Sequence, residues 1–196
     1  MYMSKNRIET LVDGIFAIAM TLLVLDLAVP DLNGPLSNLI IQNTLYDLLP
    51  SFISLVVSFV LLAMFWNIHH RIYSQIKSVN GTLLWINMIW LLFIVLVPFS
   101  ASLNGDYSEY TISNVIFNIN MIGIAVVLFL NVYIINRSDF LHENADMAQL
   151  KSSEKATILF IIIALMALIL SFITPTWCNL VYLLIFPLEM LMDRQS

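Results

Sequence analysis

Long uncharged runs alternate with short polar stretches along this chain. Residues 48–70, 78–105, 110–136 and 156–188 contain no Asp, Glu, Lys or Arg. About 20 mostly apolar residues let a helix cross a bilayer, so each of the first three runs predicts one span. The fourth run is 33 residues long and is interrupted by Thr174-Pro175-Thr176. Proline biases the residue before it away from helix, which predicts a hairpin of two short helices, 156–173 and 176–192. Segment 10–29, broken only by Asp13 and Asp26, is a further span. The pattern predicts six transmembrane helices in one domain, 1–196.

The polar stretches carry turn chemistry. Pro30 and then Asn33-Gly34-Pro35 close the first span. Asn80-Gly81 separates the second from the third, and Asn104-Gly105-Asp106 the third from the fourth. Gly and Asn tolerate the positive φ that tight turns need. Residues 137–154 form the longest polar stretch and are predicted to make a short loop helix. Asp13 inside the first apolar run, with no small-x-small site closing it, argues against a cleaved signal peptide.

Composition narrows the class. Hydrophobic residues make up 60% of the 196, and charged residues 11%. A soluble domain runs near about 45–50% apolar and about 25% charged, and a globule of this size has no interior able to hide the surplus. A soluble enzyme, a disordered chain and a fibrous chain are thereby excluded. One cysteine, Cys178, excludes a disulfide framework or a thiolate metal cage. A net charge of −5 gives no basic footprint for nucleic acid. The expected class is an all-α polytopic membrane protein.

Charge distribution predicts orientation. With six spans and a cytoplasmic N-terminus, the inner segments contain Lys5, Arg7, Arg71, Lys77, Arg137, Lys151, Lys155 and Arg194, which is every basic residue in the chain. The outer loops contain Asp31, Asp47, Asp106 and Glu109 and no basic residue. The positive-inside rule then puts both termini in the cytoplasm of a cell whose plasma or inner membrane holds the protein.

Ionisable residues within a membrane mark functional sites by default. Asp13 lies about 9 Å along the first helix from Arg7, at about 1.5 Å per residue. On a wheel of about 100° per residue, Leu11, Gly14, Ile18, Thr21, Leu22, Leu25 and Val29 share one stripe, while Glu9, Asp13, Phe16 and Met20 lie opposite. Lipid offers a carboxylate no partner, so the Asp13 face is expected to pack against the other helices. The Ile18 stripe then faces either lipid or its equivalents in other subunits. Trp66 and His70 are i,i+4 on the second span, and Asn87 lies about two turns into the third, so Asp13, Trp66, His70 and Asn87 are read as one polar network. His69 is read as solvent-facing. No His or Cys set has metal-ligand spacing, and no metal or cofactor is expected.

These residues resemble a known family. Arg7-x5-Asp13-Gly14-x-Phe16-Ala17-Ile18-Ala19-x-Thr21-Leu22-Leu23 is similar to the first-helix signature of the transmembrane protein 175 family of potassium channels. Trp66-x2-His69-His70, Asn87 and Pro98-Phe99 also fit that family. The resemblance implies a homotetramer of six-span subunits whose first helices line a central pore for K+ and other monovalent cations. It implies a pore constriction at Ile18, Leu22 and Leu25, with Thr21 contributing to selectivity. Arg7 and Asp13 match two positions of the family's Arg-x3-Phe-Ser-Asp motif, whereas Leu11 and Val12 replace its Phe and Ser and remove a hydroxyl from the expected network of Arg7, Asp13, Trp66, His70 and Asn87. Like the family, the chain has no Thr-Val-Gly-Tyr-Gly filter. Asp26 and Asp31 at the outer mouth would raise the local cation concentration. The reading is a leak-type potassium channel with no catalytic residues. The alternatives are a secondary transporter, although no inverted repeat is present, and a non-conducting membrane scaffold.

Overall fold

The computed structural model describes residues 5–28, 37–137 and 140–185, and they are almost wholly helical. Helix α1 runs Lys5–Leu22 and tightens into a 3-10 turn, Leu23–Asp26. A short helix α2 (Asn38–Asp47) leads directly into α3 (Leu49–Ser74). Then come α4 (Gly81–Val95), α5 (Val97–Asp106), α6 (Thr111–Asn136) and α7 (Met147–Leu170). The described residues close with a 3-10 helix, Pro175–Leu184.

Five helical stretches among the described residues are long and apolar enough to cross a membrane: Lys5–Leu25, Leu49–Ser74, Gly81–Asp106, Thr111–Asn136 and Met147–Leu170. A stretch of 26 residues spans about 39 Å, more than the hydrocarbon thickness of about 30 Å. Of the sixth predicted span, 176–192, the part up to Leu184 forms the 3-10 helix, and residues 186–192 lie outside the described residues.

Local chemistry explains most boundaries. The Asn80 side chain caps α4 by accepting from Leu83 N at 2.8 Å. Asp146 caps α7 by accepting from Ala148 N and Gln149 N. Such side-chain oxygens satisfy amides that the first turn leaves orphaned. Pro98, which has no amide hydrogen to donate, sits in the first turn of α5, and the chain breaks at Leu96 without ending the span. The third span therefore continues past Pro98-Phe99 to Asp106.

One expectation is corrected here, and one helix is additional. Among the described residues of the polar stretch 137–154 there is no separate loop helix; α7 begins at Met147 and carries Lys151, Glu154 and Lys155 on its first turns before entering the apolar run. A solvated first turn lets one helix start in water and finish in lipid. Helix α2, between the first and second spans, is not foreseen by the sequence pattern. It buries no residue, and its Leu39, Leu45 and Tyr46 are exposed.

The spans alternate in direction, so every Lys and Arg among the described residues lies towards the end holding the α3–α4 and α6–α7 connections. Those two connections are clipped together by Lys77 N donating to Phe140 O at 2.8 Å and His142 N to Gln75 O at 3.0 Å. Exposed Tyr46, Tyr107, Tyr110 and Trp177 ring the opposite end, and exposed Trp66, Trp85 and Tyr133 the basic end. Aromatic side chains at both ends are what a membrane-spanning bundle places at its interfaces.

Helix α6 is the centre of the bundle, with half of its most apolar window buried, while α1 is the least covered span at 28%. Helix α1 packs against α3 and α4, and the third span folds back along α6.

Candidate functional site on the first helix

Helix α1 presents three faces. Ile8, Val12, Phe16, Ala19 and Leu23 are buried, each 3% exposed or less. They recur at i, i+4, i+8, i+11 and i+15, one stripe of an α-helix. Ile18 (60% exposed), Leu22 (40%) and Leu25 (70%) form a second stripe that nothing in the subunit covers. Asp13 lies on a third face, at the edge of an open groove of about 360 Å³ between α1 and α3.

The packed stripe is about 120° around the helix from Ile18 and about 100° from Asp13. The expectation that the Asp13 face is the packed face is therefore overturned. Asp13 is exposed, and its need for a partner is met sideways, by Trp66 Nε1 donating to Oδ1 at 2.8 Å. His70 stacks on Trp66, with ring centroids 5.9 Å apart.

Asn87 is not part of this group. It is buried, and its Oδ1 lies 3.0 Å from His69 Nε2. His69 is 2% exposed, not solvent-facing, and is sandwiched between Trp90 (4.6 Å) and Tyr73 (4.0 Å). Phe16 of α1 meets Trp90 at 5.4 Å. The rings of Phe16, Trp90, His69 and Tyr73 thus run from α1 into the bundle. They fix the roll of α1 and so decide which residues stay uncovered. Residues buried among three helices could not be recognised from the sequence as a seat, although the i,i+4 recurrence of Ile8, Val12 and Phe16 was the available signal. Arg7 is exposed and makes no hydrogen bond or ion pair among the described residues; the neighbouring ion pair is Lys5 with Glu9 at 3.7 Å.

Thr21 is exposed beside Ile18. Its hydroxyl donates to Ala17 O (3.0 Å) and Ile18 O (2.9 Å). A hydroxyl has one proton and two acceptor lone pairs. With the proton turned to the backbone, the lone pairs face outward, where a cation can meet them. Asp26 contributes its backbone to the 3-10 turn after α1, while its side chain and all of Asp31 lie outside the described residues.

A second polar centre, absent from the sequence reading, lies at the opposite end from the basic residues. Asn104 Nδ2 donates to Asn114 Oδ1 (2.6 Å), Asn179 Nδ2 to Asn104 Oδ1 (2.9 Å), and Tyr182 OH to Asn118 Oδ1 (2.6 Å). These bonds tie the 3-10 helix Pro175–Leu184 to α5 and α6. Among the described residues, no group of three or more His, Cys, Asp or Glu is arranged to hold a metal ion.

Residues 7–98 match the model of the family described as the endosomal/lysosomal potassium channel TMEM175. A potassium channel of Chryseobacterium sp. (strain P1-3) is 31% identical over 134 residues, 67% of this chain and 66% of that protein. One of Streptomyces collinus is 34% identical over 103 residues, 53% of this chain and 48% of that protein. The matched stretches thus span from about half to about two thirds of these relatives' length. The crystal structure of a lysosomal potassium-selective channel TMEM175 homolog from Chamaesiphon minutus superposes with a TM-score of 0.75 at 26% identity, covering 97% of both chains. The sequence match covers the helix with the uncovered stripe and the helices that seat it, and the structural match covers the whole bundle: this chain belongs to the TMEM175 family, a family of ion channels and not of enzymes.

Proposed function

We propose that this chain is the subunit of a potassium-permeable channel, assembled as a homotetramer with the α1 helices around the pore axis. The observation that carries this reading is the uncovered stripe Ile18, Leu22 and Leu25 on a helix whose roll is otherwise fixed by buried aromatic packing. Homo-oligomers favour closed rings, and a ring built on this stripe turns three aliphatic layers towards one axis. Such a neck gates by dewetting. Thr21, with its hydroxyl proton turned to the backbone and its oxygen lone pairs free, supplies the polar layer beside it and favours potassium over sodium. Asp26 and Asp31 raise the cation concentration at the outer mouth.

In this reading each subunit crosses the membrane six times, the last crossing extending the 3-10 helix Pro175–Leu184, and both termini are cytoplasmic. The bundle end that carries all the described basic residues supports that orientation. Asp13, Trp66 and His70 hold the inner end of α1 against α3, and Asn87 acts through His69.

The test is electrical. Purified protein in planar bilayers should pass discrete currents whose reversal potential follows the potassium gradient. Ile18→Ala should raise the flux severalfold by widening and wetting the neck. Absence of discrete openings would favour a transporter or scaffold, and unchanged flux with alanine at Ile18, Leu22 and Leu25 together would place the pore elsewhere.

A further inference from the structure

A crevice of about 150 Å³ opens at the end of the bundle that carries the asparagine cluster. It is walled by α3, α5, α6 and the 3-10 helix Pro175–Leu184, and α1 takes no part in it. An apolar cavity of about this size holds a benzene-sized molecule. None of the residues lining it is charged.

The crevice is polar at one end and apolar at the other. Asn104, Ser108 and Thr176 lie where α5 ends and the 3-10 helix begins, at the membrane surface. The hydroxyls of Ser108 and Thr176 make no hydrogen bond among the described residues. Asn104 is 5% exposed, and its amide nitrogen donates to Asn114 alone, so one of its two protons is uncommitted. Val57 lies two turns further along α3 than Leu49, about 12 Å deeper. With buried Phe117 it lines the apolar end. Exposed Ile53, Trp177 and Leu180 form the sides.

The unbonded amide proton of buried Asn104 costs free energy, and lipid offers neither it nor the half-buried Ser108 hydroxyl a partner. Water satisfies the polar end but not the apolar depth. No charged side chain lines the crevice to attract an ion. We infer that the crevice is a binding site for a neutral amphiphile with one hydroxyl and a short alkyl chain, entering from the outer leaflet. The hydroxyl accepts from Asn104 Nδ2 and exchanges hydrogen bonds with Ser108 and Thr176. The chain lies along Ile53 and Val57 against Phe117.

Photolabelling tests this directly. A diazirine-bearing n-octanol is irradiated with the protein in liposomes, and the labelled peptides are mapped by mass spectrometry. Label should concentrate on residues 49–57 and 176–180 and be lost when excess unlabelled octanol is present. Ile53→Trp should abolish the competable label by filling the crevice. Leu180→Trp fills it from the opposite wall and serves if the first variant does not fold. Label spread evenly over apolar surfaces such as Ile162 and Ile169 of α7, or label in the crevice that octanol does not displace, would overturn the assignment and leave bulk lipid as the occupant.

Discussion

Removing the Trp66–Asp13 hydrogen bond should cost assembly and stability, not ion preference. Trp66→Phe deletes the donor and keeps an aromatic ring against His70. A hydrogen bond to a charged group contributes about 1.5–3 kcal/mol, and 2.8 Å is the separation of a charge-assisted bond. Asp13 is exposed in the isolated subunit and Trp66 is 41% exposed. Solvent screening therefore takes the figure to or just below the lower end of that range, about 1–1.5 kcal/mol. For a chain of this size about 2–4 °C of melting temperature corresponds to each kcal/mol, which gives a loss of about 2–6 °C. Asp13→Ala should lose a similar amount. The double variant should lose little more than either single one, because both delete the same bond, with a coupling near 1 kcal/mol. Melting of the purified protein followed by fluorescence-detected gel filtration measures all four corners of the cycle. Strictly additive losses would refute the bond. A stable Asp13→Ala protein with altered potassium over sodium preference would refute the structural role and put the carboxylate in contact with ions.

Other outcomes follow from single positions. A Cβ on Gly105 would stand 2.7 Å from the Ser51 backbone, so Gly105→Ala should prise α5 from α3 and cost about 1–3 kcal/mol, whereas Gly81→Ala, with nothing within 4 Å, should leave the melting temperature unchanged. Thr21→Val keeps the side-chain shape but removes the oxygen lone pairs; reversal potentials under mixed gradients should show a lower preference for potassium with little change in stability. Cysteine introduced at Glu109 should react with a membrane-impermeant thiol reagent added outside intact cells and cysteine at Asn144 should not, and the reverse pattern would invert the topology.

Of the site, the sequence made one face of α1 legible, misassigned the second and left the third unread. Ile18, Leu22 and Leu25 share a stripe because 3.6 residues make a turn, and the structure leaves that stripe uncovered. Asp13 was read as marking the packed face, since a carboxylate within a membrane must find a protein partner. The partner exists, but the indole of Trp66 reaches it across the edge of a groove, and a single hydrogen bond satisfies the group without burying it. The Phe16–Trp90–His69 seat was illegible for a related reason: in lipid, a packed aliphatic or aromatic residue and a lipid-facing one have the same chemistry.

What the sequence by itself determined is the five long spans found among the described residues, because placing a charge in hydrocarbon costs several kcal/mol per group and acts on each residue separately. The uncharged runs alone placed α3, α4 with α5, α6 and the apolar part of α7. The basic residues at one end are legible in the same way. Tertiary structure alone decided the roll of α1, the pairing of Asn87 with His69, and the convergence of Asn104, Asn114, Asn118 and Asn179, which come from three separate elements. Helix association in a membrane rests on van der Waals fit and interhelical hydrogen bonds, and both depend on the three-dimensional meeting of side chains that no single helix encodes.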